Sequence, residues 1–338
     1  MTKLEELLKQ QIEISAAIQI EIKKSQEAAA KGDSESQFSL AQIHHHGQGV
    51  KQDYAEAIKF YKLAAEHGHT DAEFILGDMA VKGLGAAQNF KEALRYFQLA
   101  AAKDHGQAQY MLGVMFDAGK GVKEDFKEAM HWYTLAIKKN NSDAMFGLGS
   151  MYENHHGVEQ DDIEAVRWYK LAAHHEHLEA DYRLGCIYSK GKGLKKDLSE
   201  AMHWFSLASA KGHFGAQISI GLMYQVGDGV EQSHEEAMKH YKMAAARGHA
   251  EAEYRVGFMY QNGLGRERDY PQALHWYLLA AAQEDAHSQS ALGFMHEHGQ
   301  GVNEDEAKAL AYYRKAAKNG DENAIRNRDM LESRQEKK

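Results

Sequence analysis

The chain has 338 residues, of which 30 are Gly and only one, Pro271, is Pro. With 49 acidic against 40 basic residues, its formal charge of −9 offers no general attraction to a phosphate backbone, so nucleic acid is excluded as an expected partner. An apolar content of 43% suffices for a packed core, no apolar run reaches the roughly 18 residues of a membrane span, and a lone Cys186 forbids an internal disulfide and fits a reducing, cytoplasmic compartment.

The N-terminal stretch Met1-Thr2-Lys3-Leu4-Glu5-Glu6 is mixed in charge and carries no secretory signal pattern. Over residues 1–32, Leu4, Leu7, Leu8, Ile12, Ile14, Ile18 and Ile22 alternate with polar residues as in an amphipathic helix with partial heptad character. Such a helix serves either as a cap on the adjoining segment of chain or as a dimerisation element, leaving the chain a monomer or a dimer.

From residue 33 to 320 the sequence repeats. Leu40, Leu76, Leu112, Leu148, Leu184, Ile220, Val256 and Leu292 succeed one another at 36-residue intervals without insertion or deletion, the mark of one supersecondary unit stacked on copies of itself. Columns of the repeat take their numbers from the third copy. In Ala108-Gln109-Tyr110-Met111-Leu112-Gly113-Val114-Met115-Phe116, the residues at 108, 112, 115 and 116 describe a first helix, helix A, with one buried face. A Gly-x-Gly loop comes next, its second glycine present in all eight copies and its first replaced once, by His155; glycines in that place mark a left-handed C-cap and a tight turn. Four residues on stands a cap-forming side chain, as in Asp53, Asn89 and Ser233, and three further on a Glu in six repeats. The pattern predicts a reciprocal capping box opening helix B. Helix B carries Ala in columns 129 and 136 of every copy, with an aromatic pair such as Trp132-Tyr133 between them, which predicts close helix contact with large and small surfaces interlocked. Residues 321–331 read as a final capping helix and Glu332–Lys338 as a frayed tail.

A unit reading Ala-x-x-x-Leu-Gly-x-Met-Tyr-x-x-Gly-x-Gly-Val-x-x-Asp-x-x-x-Ala-x-x-Trp-Tyr-x-x-Ala-Ala, nearly realised from Ala252 to Ala281, resembles the Sel-1-like repeat family, a relative of tetratricopeptide repeats. The resemblance implies an all-α fold: a right-handed αα-superhelix (solenoid) of eight 36-residue helix-turn-helix repeats with terminal capping helices. It also implies a non-catalytic scaffold or adaptor for protein or peptide partners, in bacteria in signalling, envelope biogenesis or host interaction. Departures from the unit are local: His155 for Gly, Ala80 for the aromatic, and Ala86 and Arg266 for Val, with Leu84 and Leu264 placed to supply the missing aliphatic contact.

Candidate chemistry is thin. Of 21 histidines, His69, His105, His177, His213 and His249 share one column in the link between repeats and read as turn and capping elements. No His-Glu-x-x-His or Cys pair offers ligand spacing, so no metal and no cofactor is assigned, with a His-rich metal-binding protein as an alternative. Ser189-Lys190-Gly191-Lys192 is the only Ser-x-x-Lys, yet it crosses from a helix into a loop, whereas a penicillin-recognising site needs the pair on one helical turn. A hydrolase of penicillin-binding or β-lactamase type is therefore the second choice. There remains the side of helix A that the repeated apolar columns leave unused, columns 110, 111, 114, 117 and 118. Column 114 runs Gln42, Asp78, Val114, Ser150, Cys186, Leu222, Phe258, Phe294, polar early and apolar late. A partner-binding patch is therefore expected in the C-terminal half, with Leu222, Phe258 and Phe294 as anchors, Arg183 and Arg255 as orienting charges, and Tyr182 and Tyr254 beside them, suited to an extended or helical peptide.

Overall fold

The structure, a computed structural model, describes residue 20 and residues 22–335. Leu4, Leu7, Leu8, Ile12, Ile14 and Ile18, on which the dimerisation reading rests, lie outside the described residues. All regular elements among the described residues are helices, and they fall into two compact units, residues 1–177 and 178–338. The first holds α1 (Ser34–His46), α2 (Tyr54–Glu66), α3 (Thr70–Lys82), α4 (Phe90–Ala102), α5 (Gly106–Asp117), α6 (Phe126–Ile137), α7 (Ser142–Asn154) and α8 (Asp162–His174). The second holds α9 (Leu178–Lys190), α10 (Leu198–Ala210), α11 (Phe214–Val226), α12 (His234–Ala245), α13 (Ala250–Asn262), α14 (Tyr270–Ala282), α15 (Ala286–Glu297), α16 (Glu306–Lys318) and α17 (Glu322–Gln335). Odd numbers up to α15 are helix A and even numbers helix B, so the eight predicted hairpins form, four in each unit.

Each helix B opens on the expected side-chain cap: Asp53 accepts from the Glu56 amide at 3.0 Å and Asp269 from the Gln272 amide at 2.9 Å. The expected reciprocal half of the capping box does not form. The cap residue's own amide donates instead to the end of helix A, Asp53 to the His44 carbonyl at 2.9 Å and Asp269 to the Tyr260 carbonyl at 3.0 Å. The reversal brings this carbonyl within reach of the cap amide, and the Glu is left to other partners, as Glu56 is to Lys59 at 2.7 Å and Glu200 to the Trp204 indole at 3.1 Å.

The sixteen column-129 and column-136 alanines are fully buried. The bulk they lack comes from the ring in column 133, which lies so close to helix A that a Cβ on Gly113 would stand 2.5 Å from Tyr133. Six other repeats repeat the contact, from Gly77 against Phe97 to Gly293 against Tyr313. The phenol then needs an acceptor in the interior, and finds it sixteen residues earlier: Tyr241 on Gln225 and Tyr277 on Gln261, both at 2.7 Å, and Tyr313 on Glu297 at 2.8 Å. Where the ring is Phe97 or Phe205 the same position holds Val81 or Ser189. Burial pushes the Tyr61 and Tyr241 hydroxyls up to about 12.

One difference from the sequence reading concerns the C-terminal end. α17 runs on to Gln335, four residues into the expected frayed tail, because Arg314 pairs with Glu332 at 2.7 Å and Arg334 with Glu297 at 2.9 Å. At the other end the helical residues 22–29 place Ile22 and Ala29 on Leu40. In the first unit, Ala80 and Ala86 line a void of about 40 Å³ together with Ile58, Leu76, Met79 and Tyr96, and Leu84 supplies the expected aliphatic contact. Ala86→Val restores the residue usual in that column and should stabilise the protein by about 1 kcal/mol, read from the urea midpoint.

Candidate functional site

Helix A presents its remaining side to whatever the protein meets, and most polar groups there are already engaged. His69, His105 and His213 are the N-caps of α3, α5 and α11. Their Nδ1 atoms accept from the amides of Ala72 (3.3 Å), Ala108 (3.1 Å) and Ala216 (3.1 Å). That fixes the ring hydrogen on Nε2, which faces a carboxylate of the preceding repeat: Glu35 at 3.2 Å, Asp71 at 3.3 Å and Glu179 at 3.0 Å. His177 meets Asp143 in the same way at 3.3 Å. His249, in the same column, makes no side-chain cap hydrogen bond, whereas His69, His105 and His213 perform the capping role expected for it. Each ring also stacks on a column-110 aromatic, His69 on Phe38 at 4.2 Å and His213 on Tyr182 at 4.2 Å.

A second ladder is one the sequence reading missed. Helix A buries columns 108, 109, 112, 113 and 115, while Phe116, expected inside, is half-buried. Column 109 is polar in seven repeats, and its buried side chains meet the residue that ends the next helix B. Glu73 accepts from Lys103 at 2.8 Å, Asp181 from Lys211 at 2.8 Å, Glu253 from Gln283 at 2.9 Å and Gln289 from Asn319 at 3.2 Å. Burial, opposed by Gln283, holds the Glu253 carboxyl above its ordinary value.

Against this background the seven sequence-selected residues separate. Tyr182 is taken up by His213 and Phe205, and its hydroxyl is pushed up to about 12 by burial. Leu222 packs against a core cluster. Arg183 is half-buried on α9. Arg255 is tied to Glu251 at 2.7 Å, with its guanidinium 5.7 Å over the Tyr241 ring. Tyr254, Phe258 and Phe294 come together on one cavity of about 400 Å³ in the second unit. Phe258 and Phe294 keep 36% and 37% of their surface exposed.

The cavity exists because α15 carries Ser290 and Ala291 in columns 110 and 111, where other repeats place residues such as Tyr254 and Arg255. The missing bulk opens a slot walled by Tyr254 and Phe258 of α13, Phe294 of α15 and Asn323 and Asn327 of α17, with Arg268 and Tyr270 from the loop after α13 and the start of α14. Sequence reading missed Arg268 and the two asparagines, which lie outside the A-helix columns of the eight repeats. The two small residues were a visible signal.

His287 on this cavity binds Asp321 through Nδ1 at 2.8 Å. The pair is the cap ladder with its members exchanged, the histidine now in the column that elsewhere holds the acid, and Asp321 caps α17 by accepting from the Ala324 amide at 2.6 Å. Ser189 donates to the Cys186 carbonyl at 2.9 Å, while Lys192 lies between the left-handed Gly191 and Gly193, off the helix. Among the described residues no three His, Cys, Asp or Glu side chains are grouped as metal ligands, and no helix is long and apolar enough to cross a membrane.

The Sel1 repeat family model matches residues 34–69, 70–105, 106–141, 142–177, 178–213, 215–249, 250–285 and 286–321. Among solved structures, the chain is similar to a protective antigen present in uropathogenic Escherichia coli strains that displays an SLR fold. That match has 29% identity and a TM-score of 0.77, covering 93% of this chain and 67% of that one. It is also similar to a Sel1 repeat protein from Oxalobacter formigenes, with 28% identity and a TM-score of 0.74, covering 93% of each chain. No curated protein matches.

Proposed function

Because the chain belongs to the Sel1 repeat family, whose members are generally protein–protein interaction scaffolds, we propose that it is a non-catalytic adaptor whose second unit holds a segment of a protein partner. On this reading the segment lies on the α13, α15 and α17 face, anchored at Phe258 and Phe294, and residues 22–29 and α17 serve as end caps. The observation that carries it is the cavity, where two aromatic rings stay part-exposed around an open slot, whereas most column-109 and column-110 side chains are taken up by the two ladders. The lone Cys186 favours work in a reducing compartment, such as the cytoplasm.

The test is capture of partners by the native chain, identified by mass spectrometry, beside the double variant Phe258→Asp with Phe294→Asp. Both rings are partly solvated, so helicity should be unchanged while capture falls at least about tenfold, the loss of one good anchor. Equal capture by the folded variant places the partner elsewhere; no capture by the native chain overturns the scaffold reading.

A further inference from the structure

The charge around this cavity says what kind of segment fits it. Of the net −9, −7 belongs to residues 1–177 and only −2 to residues 178–338. Within the second unit, the loop between α13 and α14 is formally neutral, Arg266 and Arg268 standing against Glu267 and Asp269, but its arginines and the nearby Lys242 of α12 hold no ion pair among the described residues. Arg268 lines the cavity, and its one hydrogen bond goes to the Tyr270 hydroxyl at 3.3 Å, leaving most of its five donors unused. Arg266, on the same loop, donates to the Tyr260 hydroxyl at 2.8 Å, and Lys242 reaches that same oxygen at 3.0 Å. None of the three pairs with a carboxylate among the described residues, and Glu267, between the arginines in sequence, is bound to neither. The corresponding lysine of the first repeat, Lys62, has Glu92 at 3.8 Å, while the residue standing there for Lys242 is the neutral Gln272.

The one carboxylate lining the cavity is spent: Asp321 is buried and accepts from His287 and from the Ala324 amide. A cationic guest would therefore meet Arg268 with no free negative charge to offset it. A carboxylate guest would find a guanidinium suited to bidentate binding, beside the amide of Asn327. The slot over Ser290 and Ala291, walled by Phe258 and Phe294, has room for an apolar side chain next to that carboxylate.

We propose that this cavity selects an extended, acidic segment of another protein, one that sets a carboxylate on Arg268 and an adjacent aromatic or aliphatic side chain in the slot over Ser290. The proposal rests on the adaptor reading and specifies its partner's chemistry.

Its test is fluorescence anisotropy on the full chain with three fluorescein-labelled peptides: Gly-Glu-Asp-Phe-Asp-Glu-Gly, a twin with Lys at every acidic position, and a twin with Gly for Phe. The acidic Phe peptide should bind at least about tenfold more tightly than either twin, a difference of about 1.4 kcal/mol. Arg268→Glu, an exposed change, should remove that preference and favour the Lys twin, and Ser290→Phe, which returns a ring to the column, should close the slot to Phe without reversing the charge preference. Circular dichroism establishes that both variants are folded. Equal binding of the acidic and Lys peptides, unaltered binding by Arg268→Glu, or no binding of any peptide at about 1 mM overturns the proposal. If the native chain still captures partners and Arg268→Glu captures the same ones, the adaptor reading survives and the acidic specificity falls. If the native chain captures none, the adaptor reading itself falls.

Discussion

Gly121→Ala is expected to destabilise the first unit by about 3 kcal/mol, although it adds a single methyl group. Gly121 has φ +76°, and a Cβ there would stand 2.6 Å from the carbonyl carbon and oxygen of Phe90, the first residue of α4. Six of the loops ride in this way on the start of the previous helix B in their own unit, and backbone cannot swing aside as a side chain can. Gly248→Ala is the matched comparison: φ is also +76°, but nothing lies within 4 Å of the added atom, so only the left-handed penalty of about 1–2 kcal/mol applies. Urea denaturation of both variants checks the difference, and equal midpoints would show that the close approach contributes nothing.

Removing one partner of a buried clasp should be nearly as damaging. Lys211→Met strands Asp181, whose residue is 1% exposed and whose carboxylate then has no cation within reach. A loss of about 2–3 kcal/mol is expected, the lower part of the range for a broken buried pair because Lys211 itself is about a third exposed. Adding Asp181→Leu removes the stranded charge and should restore most of the loss, since an apolar pair of similar volume avoids the desolvation of both ions. A double-mutant cycle by denaturation measures the coupling. Independent, additive losses would mean that the two groups do not depend on each other.

The fold was legible because its signals are local and written eight times. The column of Leu112, the Gly-x-Gly loop and the column of Asp125 each report on a residue's own helix or turn, and each was found where expected. The features that escaped notice depend on partners on another helix. Gln109 was passed over because a helix-period search looks for apolar residues, and the lysine that satisfies Glu73 lies thirty positions downstream, at the end of the other helix of its hairpin. The capping box misled for a related reason: Asp53 and Glu56 have the right spacing, but the competing His44 carbonyl arrives by tertiary reversal of the chain. Part of the missing information was present as internal covariation, since Phe97 coincides with Val81 while the tyrosines coincide with polar residues; Ser189, opposite Phe205, is the exception. The site was half legible for the same reason. Phe258 and Phe294 announce themselves as rings on an unused face, whereas Tyr182 looks identical in sequence and is consumed by His213.

The cap ladder also gives the repeats an order. At four junctions a histidine at the start of one helix A meets an acid two residues into the helix A before it; Asn141 meets Gln107 at 2.7 Å, and at the last junction His287 meets Asp321 with the polarity reversed. Six of the eight junctions are thus locks cut for their own keys, while His249 stands opposite Gly215 and Asp285 opposite Glu251. Moving the eighth repeat to a place ahead of one that begins with His213 would set imidazole against imidazole, so the array cannot be shuffled or lengthened by copying a single unit unless both sides of the new junction change together.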